Sequence, residues 1–223
     1  MKICILIPTY NEVKAIGSLI DEIKEYELDI IVSDDGSTDG TATVASEKDI
    51  LVLEHAQRTG KGATLRRGFD KVSELEYDGV IIMDGDGQHA PKDLPKFLKN
   101  IKEDPKCMIV GNRLSDSKGM PFVRLITNRI MSWVISCACG QRIADTQSGF
   151  RYIYLDILNN IKFVSKSYEI ETELLMKASK QGYVIHSIPI ETIYGDEESK
   201  INPITDTLRF VKYFIKEIFS LKK

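Results

Sequence analysis

Three short apolar runs, at residues 2–7, 28–33 and 78–83, each break off into a polar loop, and a helix-like pattern follows within a few residues. Strand–helix alternation of this kind demands a parallel sheet with right-handed crossovers. In a parallel sheet the strand ends share one edge, and open α/β sheets bind ligands in the crevice there. The loops 8–12, 34–40 and 84–89 are therefore expected to converge. Strands are predicted over 2–7, 28–33, 50–54, 78–83, 107–111, 150–154 and 184–193, the last breaking at Pro189. Helices are predicted over 12–26, 40–47, 60–75, 91–103, 122–138, 169–181 and 205–221. In the first, Ile16, Leu19, Ile20 and Ile23 fall on one face. Pro91 suits a first helical turn. The fold class is α/β, a mostly parallel sheet flanked by helices, and the second half of the chain is less regular than the first.

The third loop carries the sharpest chemistry. Val80-Ile81-Ile82-Met83 ends in Asp84 and Asp86, one residue apart, and the next Lys or Arg along the chain is Lys92. A buried charge costs several kcal/mol unless something pairs it. A hard divalent cation, which prefers oxygen ligands, is the cheapest compensation. Gly85 and Gly87 permit a tight turn and close approach of a bulky anion. The stretch reads as a Mg²⁺ or Mn²⁺ seat for a diphosphate, against the plain alternative of an Asp-Gly surface turn. Asp86 is favoured over Asp84 as the direct ligand. Two other motifs fail. Asp35, Ser37, Asp39 and Gly40 open like a calcium loop, but its twelfth position is Ser46 rather than Glu. Gly60-Lys61-Gly62 resembles a P-loop end, but the earlier Gly is replaced by His55 and no Ser or Thr follows Lys61.

The 223 residues suffice for one well-buried domain, 1–204, with a C-terminal amphipathic helix over 205–223. A net charge of −3 argues against nucleic acid as a partner. Cys4 and Cys107 lie in apolar runs as core thiols, Cys137 and Cys139 form a C-x-C, and no paired metal spacing appears; a reducing cytoplasm fits. No signal peptide is evident, and no apolar run reaches about 18 residues.

Pro8-Thr9-Tyr10-Asn11-Glu12, Asp34-Asp35-Gly36-Ser37-Thr38-Asp39, Asp84-Gly85-Asp86-Gly87-Gln88-His89 and Asp145-Thr146-Gln147-Ser148-Gly149-Phe150-Arg151 occur in that order. Together they resemble the family-2 glycosyltransferases, and the last motif resembles the branch of dolichol-phosphate mannose synthases and bacterial polyprenyl-phosphate sugar transferases. The resemblance spans roughly residues 1–200. It implies a GT-A (Rossmann-like) fold and inverting, metal-dependent transfer of a sugar from a UDP- or GDP-sugar to an acceptor, with a polyprenyl phosphate at the cytoplasmic membrane face favoured. A soluble or glycan acceptor, or sugar-nucleotide binding without turnover, are the alternatives.

By that resemblance Pro8, Tyr10 and Glu12 surround the base and ribose, and Asp35 or Asp34 accepts from a base N–H. Such a carboxylate serves uracil and guanine equally. Asp84, Asp86 and Gln88 face the metal. Lys61 opens a helix, whose N-terminus favours anions, and reads as a phosphate or nucleotide contact. Lys200 stands where relatives place a basic residue against the donor phosphates, although the mannose synthases carry an Arg-rich version of that loop. Asp145 is a base for a hydroxyl acceptor, or an orienting group if the acceptor is already an anion. Arg113, Arg124 and Arg151 offer forks for an acceptor phosphate. Plain alternatives remain: a packing role for Tyr10, a helix cap for Glu12, a turn for Asp145, a partner of Asp145 for Arg151. Helices 122–138, with Trp133, and 205–221, with Arg209, Lys212 and Lys216 opposite Leu208, Val211, Ile215 and Ile218, are expected either on a lipid surface or packed on the domain.

Overall fold

The computed structural model describes residues 1–165 and 169–193. The expectations for Lys200 and for the helix over 205–221 lie outside the described residues. Seven strands form one sheet: β1 (Ile3–Thr9), β2 (Asp29–Asp34), β3 (Leu51–Glu54), β4 (Gly79–Ile82), β5 (Met108–Asn112), β6 (Arg151–Tyr154) and β7 (Ile185–Pro189), in the order β3-β2-β1-β4-β6-β5-β7. All run the same way except β6, which is antiparallel to β4 and β5. Seven helices accompany them: α1 (Val13–Lys24), α2 (Thr41–Ser46), α3 (Lys61–Glu74), α4 (Leu94–Glu103), α5 (Phe122–Cys139), α6 (Leu155–Asn160) and α7 (Glu169–Lys180).

The alternation of side chains along β1 divides the core. Ile5 and Ile7 point into a cluster with Ile16, Leu19, Ile20 and Ile23 of α1 and Leu94, Phe97 and Ile101 of α4. Cys4 and Leu6 point into a second cluster with Leu65, Phe69 and Val72 of α3 and Leu174 and Leu175 of α7. The four apolar positions expected to face inward on α1 are all buried. Helix α3 approaches so closely that a Cβ on Gly68 would meet Leu6 Cδ1 at 2.5 Å.

The reversal of β6 brings a further loop to the carboxyl edge of the sheet. Its register pairs Ile82 with Arg151, so it begins where β4 ends. The loop before β6 therefore joins the edge that already collects the loops after β1, β2, β4 and β5. The predicted strand over 150–154 lies in place, while its direction was not anticipated. The last strand ends at Pro189, as expected. Beyond it the chain crosses the loop after β4, where the Ile193 N–H donates to the Gln88 carbonyl at 3.0 Å.

Candidate active site at the carboxyl edge of the sheet

The β1 and β2 loops are knitted together by neutral donors. Asp34 accepts from the Ser37 N–H at 2.8 Å and from the Ser37 hydroxyl. Asn11, whose φ of 53° is left-handed, donates its N–H to Ser37 Oγ at 2.8 Å, and its side-chain oxygen accepts from the Thr38 N–H. Asp35 accepts from the N–H and hydroxyl of Thr59 at 2.7 and 2.8 Å, and from the Gly60 N–H at 2.9 Å. That carboxylate thus fixes the loop leading into α3. Both aspartates are almost fully buried. Pro8 is buried on β1. The Arg58 guanidinium sits 4.3 Å from the centre of the Tyr10 ring, within cation–π range. Glu12 precedes α1, but its side chain makes no capping hydrogen bond to that helix.

The β4 loop is held by charges instead. Lys61 Nζ, at the start of α3, lies 2.7 Å from Asp84 Oδ1 and 2.7 Å from Glu171 Oε1 on α7. Although burial opposes it, Lys61 holds Asp84 well below the usual carboxylate range. The two carboxylates in turn raise Lys61 above its ordinary value against the pull of its own burial. The backbone of the 145–151 loop presses on the pair. A Cβ on Gly149 would lie 2.2 Å from Asp84 Oδ2, so any larger residue there must displace the carboxylate or the loop. His89 Nδ1 faces the Asp84 N–H at 3.1 Å and accepts from it. Burial lowers the His89 pKa, although the Asp84 and Asp86 charges pull the other way.

Asp86 differs from its neighbour. It is half-buried, and it accepts from the Gln88 N–H at 3.0 Å. No Lys or Arg lies within ion-pair distance of it among the described residues. Asp84, Asp86 and Gln88 follow one another along this loop and offer oxygen donors only, and the unneutralised Asp86 carboxylate fits a hard divalent cation.

Beyond β4, Asp145 is wholly buried and receives a fork from Arg113: Nε to Oδ2 at 2.7 Å and Nη2 to Oδ1 at 3.1 Å. The backbone N–H groups of Arg113 and Gln147 donate to the same carboxylate at 3.2 and 3.1 Å. Arg151, expected to offer its fork to an acceptor phosphate, is enclosed in the protein. It donates to the carbonyls of Ser148, Glu171 and Thr146 at 2.6, 2.8 and 2.8 Å, and it is about 1% exposed. Its guanidinium holds the 145–151 loop and the start of α7 rather than facing solvent, and its partners are these carbonyls rather than Asp145.

Helix α5 supports this half from outside. On its inner face the Thr146 N–H donates to Ser132 Oγ at 2.9 Å, and the Ile143 N–H donates to Ser136 Oγ at 3.0 Å. Arg124, on its first turn, is half-buried. The outer face is apolar and open: Phe122 is 73% exposed, Ile126 41%, Ile130 56% and Trp133 69%, at helical spacing. Among the described residues no helix is long and apolar enough to cross a membrane.

The structure thus gathers Asp84, Asp86, Gln88, Lys61, Asp145 and Arg113 at one edge, with Tyr10, Asp34 and Asp35 on the side nearer β2. Glu171 and Arg58 were not expected there. Glu171 stands 110 residues from its partner Lys61. Nothing in the local pattern marks it.

Comparison with known proteins places the chain in a family and a fold. The sequence profile described as "Glycosyl transferase family 2" matches residues 4–171. A UDP-N-acetylglucosamine–dolichyl-phosphate N-acetylglucosaminyltransferase of Methanococcus voltae is 31% identical, over 87% of this chain and 86% of its own. An undecaprenyl-phosphate mannosyltransferase of Micrococcus luteus is 29% identical, over 91% and 88%. Glucosyl-3-phosphoglycerate synthase from Mycobacterium tuberculosis, crystallised with Mn²⁺, UDP and phosphoglyceric acid, superposes with a TM-score of 0.75 at 19% identity, covering 98% of this chain and 78% of that one. At that identity the likeness is one of fold.

Proposed function

Because the chain belongs to glycosyl transferase family 2, we propose that its carboxyl edge moves a sugar, with inversion, from a UDP- or GDP-sugar to the phosphate of a polyprenyl phosphate. The observation that carries the acceptor is Asp145. Transfer to a hydroxyl needs a base within reach of the attacking proton. Asp145 has no exposure, and both its oxygens are occupied by Arg113 and backbone donors. A phosphate acceptor is already an anion and asks for no proton removal. Asp145 then serves to aim Arg113 along the edge, and Arg113 and Arg124 favour a phosphate nearby by charge.

Asp86, with Asp84 and Gln88, would hold Mg²⁺ or Mn²⁺, which when bound neutralises the charge developing on the departing diphosphate. The residues of the chain do the rest. Asp35 and Tyr10 offer a carboxylate and an aromatic face to the base. Lys61, shared between Asp84 and Glu171, keeps Asp84 ionised and places a positive charge beside the diphosphate. Arg151 and Gly149 set the position of the 145–151 loop against Asp84. The apolar outer face of α5 gives a long isoprenoid, and the bilayer that holds it, a surface directly behind the Asp145 loop; such a helix lies in the headgroup region rather than across it. This supports peripheral contact with the cytoplasmic membrane face.

A panel of UDP- and GDP-sugars, incubated with and without undecaprenyl phosphate in liposomes and read by released nucleotide, tests the reading. Release that depends on the lipid phosphate is expected. Release that depends instead on a soluble sugar or glycan would overturn the acceptor, and binding without release in every arm would overturn the enzyme.

A further inference from the structure

At the opposite edge of the sheet, remote from the loops that hold Asp35, Asp86 and Asp145, three metal-ligating side chains of different type meet. Asp104 follows α4, Cys107 immediately precedes β5, and His186 is the second residue of β7. Parallel pairing sets Ile109 against His186. Alternation then puts Cys107 and His186 on the face that α4 covers, together with Ile109 and Ile188. Asp104 Oδ2 lies 3.0 Å from His186 Nε2, and the Cys107 thiol donates to the Asp104 carbonyl at 3.0 Å. One ligand atom from each of the three lies within 4.8 Å of the others. Among the described residues no other group of three such side chains meets this closely.

We propose that Asp104, Cys107 and His186 form a binding site for a thiophilic divalent ion of the zinc type, distinct from the hard-cation seat at Asp84 and Asp86. The ligand set decides the class of metal. Thiolate, imidazole and carboxylate together suit Zn²⁺, whose bonds to S, N and O are about 2.3, 2.0–2.1 and 2.0–2.2 Å. A tetrahedral ion with those bonds spaces its ligand atoms by about 3.3–3.8 Å, and the three ligand atoms here already lie within 4.8 Å of one another. Binding of the ion displaces the Cys107 proton, and the resulting thiolate and the Asp104 carboxylate together match its charge. With three protein ligands, the fourth position falls to water. The Asp104 and His186 side chains are 45% and 42% exposed, which leaves a path for the ion, while the buried sulfur supplies a dry wall. Bound there, the ion ties the end of α4 to β5 and β7, the last two strands in the order of the sheet.

Cobalt(II) is the probe, because a thiolate-to-cobalt charge-transfer band in the near ultraviolet reports sulfur ligation, which the all-oxygen seat cannot produce. The full chain titrated with Co²⁺ under reducing conditions is expected to develop this band at one equivalent, and Zn²⁺ is expected to quench it. Cys107→Ser should remove the band. His186→Gln, at a half-exposed strand position, should weaken Co²⁺ binding by more than the roughly 10- to 100-fold that outer-shell changes cost. Both variants should keep sugar-nucleotide turnover in Mg²⁺. The double variant Cys137→Ser with Cys139→Ser, which alters the remaining C-x-C, should retain the band. A protein that shows no charge-transfer band with excess Co²⁺, a band that survives Cys107→Ser, or affinity unchanged in His186→Gln would overturn the proposal and leave an Asp–His surface pair over a core thiol.

Discussion

Strands β2 and β4 flank β1 on either side, and each leads into a loop with two closely spaced aspartates, yet the two loops are stabilised by opposite means. On the β2 side, Asp34 and Asp35 are satisfied by backbone N–H groups and hydroxyls of Ser37, Thr59 and Gly60. On the β4 side, Asp84 is satisfied by the charge of Lys61, and among the described residues Asp86 has only the Gln88 N–H. A carboxylate that accepts several neutral donors is complete without a cation and makes a rigid, preshaped wall. One held by a lysine is in balance with any other cation that arrives, and one with a single N–H is short of a partner. The first loop therefore suits recognition, and the second suits the part of a reaction in which charge moves.

The largest expected effect comes from removing the carboxylate that lacks a cation. Asp86→Ala should lower kcat by at least about a thousandfold, since metal stabilisation of a leaving group contributes several kcal/mol. Its melting temperature should hardly change. EDTA should silence the parent enzyme, and Mg²⁺ or Mn²⁺ should restore it. An Asp86→Ala enzyme that remains active in chelator would break the contrast between the loops at its centre.

The Arg113–Asp145 pair extends the charged half and makes a test of stability. Arg113→Ala leaves Asp145 buried with backbone donors alone, and it should cost about 3–5 kcal/mol in urea unfolding. Neutralising both positions, Arg113→Met with Asp145→Asn, should recover most of that stability and none of the activity. If the double variant is no more stable than the single one, the pair is not the closed unit its geometry describes.

How much of the molecule was readable from the chain depends on distance along it. The first four strands and three helices follow from local periodicity, and the convergence of their loops follows from parallel pairing, so Tyr10, Asp35, Asp84 and Asp86 were all legible. The reversal of β6 was not, because Arg151-Tyr152-Ile153-Tyr154 reads the same in either direction. The short helix α6, Leu155–Asn160, was missed as well: it follows directly on Tyr154 of β6, with no turn residue between them to mark its start. The fork from Arg113 to Asp145 spans 32 residues and the bond from Lys61 to Glu171 spans 110, and no local pattern encodes such pairings. Arg151 shows the converse: a signature residue at a candidate site whose work is to accept burial and bond three carbonyls.

Gly149→Ala probes the charged half without altering any charge. The new Cβ would stand 2.2 Å from Asp84 Oδ2, and either Asp84 or the loop must move by about an ångström. A displacement of that size costs on the order of a hundredfold in rate. The expected signature is a lower kcat with nucleotide affinity little changed, because Tyr10 and Asp35 lie on the other side of β1. An equal loss of UDP or GDP affinity would show that the two loops do not act separately.

Asp35→Asn makes the reciprocal test. The amide turns one acceptor into a donor facing the N–H groups of Thr59 and Gly60, and it presents a donor where a base N–H would bond. Loss of a charge-assisted hydrogen bond costs roughly 1.5–3 kcal/mol, so calorimetry should show nucleotide affinity reduced by at least about tenfold. The rate at saturating donor should remain within a few-fold. Unchanged affinity for both UDP and GDP would remove Asp35 from the base slot and leave it as the anchor of the 59–60 turn.

The smallest effect is a dependence of stability on pH confined to one side of the comparison. Lys61, overcoming burial, sets the folded-state pKa of Asp84 below its unfolded value near 4. A carboxylate depressed in this way adds stability that is fully present above the unfolded value and is lost as pH falls through the folded one. Between about pH 4 and that lower value, the metal-free protein should therefore lose on the order of 1 kcal/mol through this pair, the Asp84 side chain being about a quarter exposed and so partly screened. Asp84→Asn keeps the shape and cannot titrate, so its urea midpoint should fall less steeply over the same interval. Identical slopes for the two proteins would mean that Asp84 carries no more folding-linked charge than an ordinary surface carboxylate, and the division between a loop built on hydrogen bonds and a loop built on charge would then rest on Asp86 alone.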